Sequence, residues 1–163
     1  LRYLEGLKEF LHPNTFYTEG PGWPVIETPL SGAQSIHDMI LQSWGGTIRI
    51  FPAAPDAWED IVFHDMSAEG AFLVSAVRKN GKTQFVRIKS LAGEPCRIIP
   101  GLQGKVKVAG KRDFNLDEVE PGIFTLDLKN GEEAILWSGN RMPALSISSL
   151  PGDKDNFNSY GIN

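Results

Sequence analysis

The sequence predicts a mainly β chain in which two helices lead into an antiparallel β-sandwich. Three observations carry this. Apolar residues recur at helical spacing up to Trp44, and the period turns strand-like from Thr47. Asn-Gly pairs at 80–81 and 130–131 accept the positive φ values of type I′ hairpin turns. The apolar runs after Thr47 are many, short and separated by turn residues, which is the pattern of a sandwich.

Each element can be justified in chain order. Residues 2–11 carry Tyr3, Leu4, Leu7, Phe10 and Leu11 on one helical face, with Arg2, Glu5, Lys8 and Glu9 on the other. A helix this short is marginal alone, so its stripe must dock on something, and Pro13 ends it. Residues 12–30 show no period. Pro13, Gly20, Pro21, Gly22, Pro24 and Pro29 make the stretch a stiff loop, and its aromatic and aliphatic side chains argue against disorder. A second helix is expected from Ser31 as N-cap, with Gln34 completing a capping box. Its buried stripe is Ala33, Ile36, Ile40 and Trp44, with Met39 beside it, and Gly45-Gly46 is the stop. Strands follow at 47–51, 61–66, 71–78, 83–90, 96–99, 105–108, 123–128 and 133–137. The two Asn-Gly pairs are expected to join 71–78 to 83–90 and 123–128 to 133–137 as hairpins. The domain boundaries implied are 1–46 for helices and loop, 47–150 for the sandwich and 151–163 for a polar tail.

Composition excludes several functions. The chain has 163 residues, 41% of them hydrophobic and 22% charged, values of a globular protein. Its net charge of -4 lacks the basic footprint that nucleic acid requires. Lys105, Lys107, Lys111 and Arg112 cluster, but they alternate with Val106, Val108 and Ala109 as the wet face of a strand does. No apolar run reaches a membrane span. Cys96 is the only cysteine, so an internal disulfide is excluded, and His12, His37 and His64 lack metal-ligand spacing. No metal and no cofactor is expected. The chain opens on Leu1, already inside a helical pattern, and reads as a piece of a longer protein.

Residues 12–30 are the one segment whose residue types suggest a site. Trp23 and Tyr17 offer flat apolar faces, while Asn14, Glu19 and Glu27 offer polar groups on a stiff backbone. Sugars present C–H faces that stack on aromatics and hydroxyls that need oriented partners. Glycoside hydrolysis also needs two carboxyl groups. The structural alternative is that the aromatics fill a gap between helices and strands while the glutamates are solvated. His37 and Asp38 are adjacent on a helix and do not face each other. Gly81-Lys82-Thr83 echoes a phosphate loop, but Ala76 stands where that motif needs glycine. Cys96 reads as a small buried hydrophobe and Trp58 as an anchor between helix and sheet.

Four runs resemble the end of glycoside hydrolase family 95, the inverting α-L-fucosidases and related α-L-galactosidases. They are Asp38-Met39-Ile40-Leu41-Gln42-Ser43, the stretch from Gly46 to Ala53, Pro55-Asp56-Ala57-Trp58, and Ala68-Glu69-Gly70-Ala71-Phe72. The similarity is collinear over roughly residues 13–90, and no motif is recognisable beyond Gly93. The resemblance implies that residues 1–46 end an (α/α)6 barrel and that the rest is a small β-sandwich packed against it. It places Glu27 where the family has a water-activating aspartate. Thr28-Pro29 replaces Gly-Asn and Leu30 replaces an aromatic, so a carboxylate is retained but the fucose preference does not follow.

The resemblance therefore implies a parent glycosidase acting on a fucose- or galactose-containing glycan, in the periplasm or secreted. The missing barrel of the same chain would be a partner. Glu27 would be the catalytic carboxylate, with Trp23, Tyr17, Glu19 and Asn14 contacting substrate. The general acid would lie upstream of Leu1, so no hydrolysis is expected from these 163 residues alone. The rival readings are a carbohydrate-binding module and a ligand-free structural β domain. Helix faces deprived of their barrel would favour a homo-oligomer.

Overall fold

The computed structural model describes residues 2–7, 17–19 and 23–151. The chain divides into two compact units, Leu1–Asp38 with Pro151–Asn163, and Met39–Leu150.

In the first unit the expected opening helix is present as α1 (Arg2–Leu7). Its continuation at 8–11 lies outside the described residues, as do 12–16 and the end of the polar tail, 152–163. The stretch 12–30 is not loop throughout. Within it β1 (Tyr17–Glu19) pairs antiparallel with β2 (Trp23–Val25), matching Tyr17 to Val25 and Glu19 to Trp23. The second helix, α2 (Glu27–Ile40), starts four residues before the expected cap. Ile26 holds the first turn, its carbonyl accepting from the Leu30 N–H at 3.2 Å. Pro29 is tolerated there because first-turn N–H groups have no partner in the helix. Ser31 is therefore inside the helix, where its carbonyl accepts from the Ser35 hydroxyl at 2.8 Å. Gly32 is the one buried residue of α2, and a Cβ added there would come within 2.6 Å of Leu7 Cδ1. The glycine lets α1 and α2 approach closely.

The helix also ends earlier than its periodicity suggests. In the second unit Phe51 N–H donates to the Ile40 carbonyl at 2.8 Å, and Ala53 N–H to that of Met39 at 3.2 Å. Backbone from residues 51–53 thus satisfies the helix end. The chain enters β3 (Leu41–Gln42) directly. Trp44 belongs to a short 3-10 turn, Trp44–Gly46, and is 63% exposed, so it is no part of a buried stripe. Ile36 is also exposed, at 42%.

The second unit is a β-sandwich. Its strands continue as β4 (Ile48–Ile50), β5 (Ile61–Ala68), β6 (Phe72–Lys79), β7 (Lys82–Ser90) and β8 (Pro95–Ile99). They end with β9 (Val106–Gly110), β10 (Asp117–Glu120), β11 (Ile123–Asp127) and β12 (Glu133–Ser138). One five-stranded sheet has the order β10-β11-β8-β4-β3 and the other β5-β6-β7-β12-β9. All their pairings are antiparallel except β4 with β8. Ile48, Ile50, Cys96, Ile98 and Leu126 from the first sheet share one buried cluster with Val74, Ala76, Val86, Ile88 and Leu136 from the second. That cluster is the core between the layers, and Trp58 packs against it. Cys96 is fully buried in it, as a small hydrophobe, and burial pushes its thiol up to about 12.

The Asn80-Gly81 hairpin between β6 and β7 forms as expected, with φ of 49° and 71°. The second pair does something else. β11 pairs with β8 and β10, whereas β12 pairs with β7 and β9, so residues 128–132 cross from one sheet to the other. Glu132 N–H donates to the Lys129 carbonyl at 2.9 Å, and Gly131 alone takes a positive φ, 78°. That is a type II turn, which lacks the twist that folds a strand back on itself.

Candidate functional site

The sequence-predicted site residues fall in the first unit. Asn14 lies outside the described residues, and Tyr17 and Glu19 are placed as backbone positions of β1. Trp23 opens β2 and is 72% exposed. Glu27 is the first residue of α2 and is exposed, with Oε2 accepting from the Ile26 N–H at 3.1 Å. A carboxylate in that position is stabilised by the positive end of the helix dipole. The same unit leaves Ile26 and Leu30 more than half exposed. Glu27 thus projects from a surface that is unusually apolar for one open to water. Asp38 accepts from the Gln34 amide at 2.7 Å, four residues back on the same helix.

The second unit carries three further constellations that the sequence did not single out. The first surrounds Asp65 on the sheet containing β5, β6 and β7. A bulge between Phe63 and Met66 puts Asp65 at φ 51°, and the chain breaks alternation at His64-Asp65. Arg87 Nη2 donates to Asp65 Oδ1 at 2.9 Å and meets His64 Nε2 at 2.9 Å, while Ser75 Oγ donates to Asp65 Oδ1 at 3.0 Å. Partial burial pulls the Asp65 carboxyl upward, but hydrogen bonds from Arg87 and Ser75 outweigh it and lower its pKa. The serine is fully buried and bonded to the aspartate rather than to the histidine, so no activated nucleophile results. The cluster is an ion-pair network. The consecutive polar pair within an apolar strand was its one sequence signal.

The second is a cleft of about 680 Å³ at the open side of the sandwich, between edge strands β9 and β10. Leu102, Val106, Leu116, Phe124 and Trp137 make its walls, with Lys105 and Glu118 among its polar groups. Its volume is that of small-ligand sites. The Glu118 carboxylate already accepts the Gly122 N–H at 2.8 Å, and the cleft holds no second carboxyl group for acid-base work.

The third is Trp44. Arg49 lies over its ring at 4.3 Å, and Arg49 Nη1 donates to the carbonyls of Trp44 and Thr47, both at 2.9 Å. The indole Nε1–H donates to Gln42 Oε1 at 3.2 Å. Gly45 and Gly46, at φ 68° and 69°, form the turn that presents the ring.

Among the described residues, no group of three His, Cys, Asp or Glu side chains is placed to hold a metal ion. The arrangement offers the exposed carboxylate of Glu27, an apolar cleft and a fixed aromatic surface.

Comparison with curated proteins found no match. The family described as "Glycoside hydrolase family 95, C-terminal domain" matches residues 42–136, more than half of the chain. The match begins in the β3 strand, after Glu27, and ends within β12, well past Gly93. It spans both sheets. The chain belongs to glycoside hydrolase family 95 and carries that family's C-terminal domain.

Proposed function

We propose that this chain is the terminal portion of an inverting, α-L-fucosidase-like glycosidase, whose β-sandwich buttresses a catalytic (α/α)6 barrel. The observation that carries the reading is the family match over 42–136, directly preceded by a helix with a carboxylate at its start. In this reading residues 1–46 complete the barrel, and Glu27 activates the attacking water. Trp23 and Tyr17 supply stacking surface, with Glu19 and Asn14 binding hydroxyls. The exposed Trp23, Ile26, Leu30 and Ile36 support it, because such a set is costly to leave in water and is accounted for by a missing barrel wall.

An inverting glycosidase needs its two carboxyl groups roughly 6.5–9.5 Å apart across the scissile bond. Only one is assigned here. The 163 residues alone are therefore inactive, since the general acid and the pocket belong to the rest of the parent. The test is aryl α-L-fucoside turnover by the parent enzyme. Glu27→Gln should lower kcat by about 10²–10⁴-fold, the usual worth of a general base. A parent variant that keeps wild-type kcat would remove Glu27 from the mechanism, and turnover by residues 1–163 alone would overturn the buttress reading.

A further inference from the structure

We propose that Trp44 is an aromatic platform on the sandwich domain that binds the C–H face of a pyranose ring. The inference rests on the reading that the parent acts on glycans. Its physical basis is the way the indole is held. A tryptophan that is 63% exposed gives up most of its burial energy and ordinarily samples several rotamers. Here three features remove that freedom. Arg49 stacks over the ring, Gln42 takes the indole N–H, and Arg49 ties down the carbonyls of Trp44 and Thr47. With Arg49 over one face, exposure is left to the other face and the ring edge.

The surroundings favour a sugar over a protein partner. Protein interface anchors sit in well-packed pockets whose surrounding contacts exclude water. Trp44 is flanked by Gln42, Arg49 and two exposed glycines, and a Cβ added at either glycine would meet nothing within 4 Å. Open space at the two glycines next to an exposed flat ring suits a ligand that is amphipathic on the scale of one ring. The preorganised ring costs little entropy on binding. Backbone nearby is also fixed, because Ser43 Oγ accepts from the Glu69 N–H at 3.0 Å.

The test uses the chain of residues 1–163, labelled with ¹⁵N and titrated with fucosylated and galacto-configured oligosaccharides to tens of millimolar. The expected result is a saturable shift of the Trp44 indole and Arg49 side-chain signals with a millimolar Kd. Trp44→Ala should weaken binding by about tenfold or more, which corresponds to about 1.4 kcal/mol. Trp44→Phe should retain part of it, and Val119→Ala, on β10 at the opposite edge of the sheet from β3, should leave it unchanged. Unperturbed Trp44 signals at the highest sugar concentration would overturn the proposal. So would a titration in which Trp44→Ala binds as tightly as the wild type, or one in which Trp44 responds only to added catalytic domain. Sugar binding at Trp44 in a parent that hydrolyses no glycan would instead sink the glycosidase reading.

Discussion

Glu132 sits where the chain changes sheets and gathers three hydrogen bonds. Arg112 donates Nε to Oε1 at 2.8 Å and Nη2 to Oε2 at 2.9 Å, and the Lys129 N–H donates to Oε2 at 2.9 Å. The Arg112 bonds first, then the Lys129 N–H, hold its pKa down to about 2 from an ordinary 4.5. A depressed carboxylate pKa stabilises the fold above the unfolded value, and that contribution is lost as pH falls through the folded one. Stability should therefore drop between pH 4.5 and 2. Glu132→Gln should lower the urea midpoint at pH 7 and flatten this part of the profile, with the two proteins converging near pH 2. Asp65, also lowered, contributes a residual slope. Glycines give a second test at this scale. Gly93 has φ +86°, and an added Cβ would lie 2.8 Å from the Asn130 backbone nitrogen, under the crossover turn. Gly104 has φ +84° with open space around it. Gly104→Ala should cost about 1 kcal/mol, the backbone term alone, and Gly93→Ala about 2–3 kcal/mol once the clash adds to the strain. Denaturant unfolding measures both.

At the scale of elements, strand identity and strand partnership separate. The apolar runs locate β5 to β9, β11 and β12 to within a residue or two, because alternation reports burial on one face. Partnership depends on what faces each run across space. Asn130-Gly131 has the same two residues as the β6–β7 turn, yet leads to a different sheet because the apolar faces of β11 and β12 belong to opposite layers of one core. β10 escapes the alternation rule altogether, being exposed along its length. The short β3 strand falls inside the expected helix because the stripe through Ile36, Ile40 and Trp44 runs past it, and only the N–H groups of Phe51 and Ala53 end the helix before it. Leu136 on β12 is fully buried between the sheets. Leu136→Ala should cost roughly 2–5 kcal/mol in denaturant unfolding, whereas Leu91→Ala, at an exposed turn, should cost little.

At the scale of the molecule, the two units differ in how well they cover themselves. The sandwich encloses a single cluster from both sheets. The first unit exposes Trp23, Ile26, Leu30 and Ile36. Left open to water, these side chains should drive self-association. Sedimentation is expected to show a concentration-dependent dimer, and Leu30→Glu with Ile36→Glu should restore a monomer. A wild-type monomer at high concentration would count against a missing wall on this surface.

What the residues alone determined is the β-rich class, most strand positions, the first hairpin, the buried thiol and the family resemblance. All of these follow from local pattern, since a strand's period and a turn's φ are written within a few neighbouring residues. The tertiary structure decided where α2 begins and ends, which sheet β12 joins, and that Trp44 and Ile36 face solvent. It also assembled Asp65, Ser75 and Arg87 from three strands. These outcomes depend on contacts between distant segments: a carbonyl capped by another strand, a face chosen by the opposite layer. Sequence periodicity has no access to them.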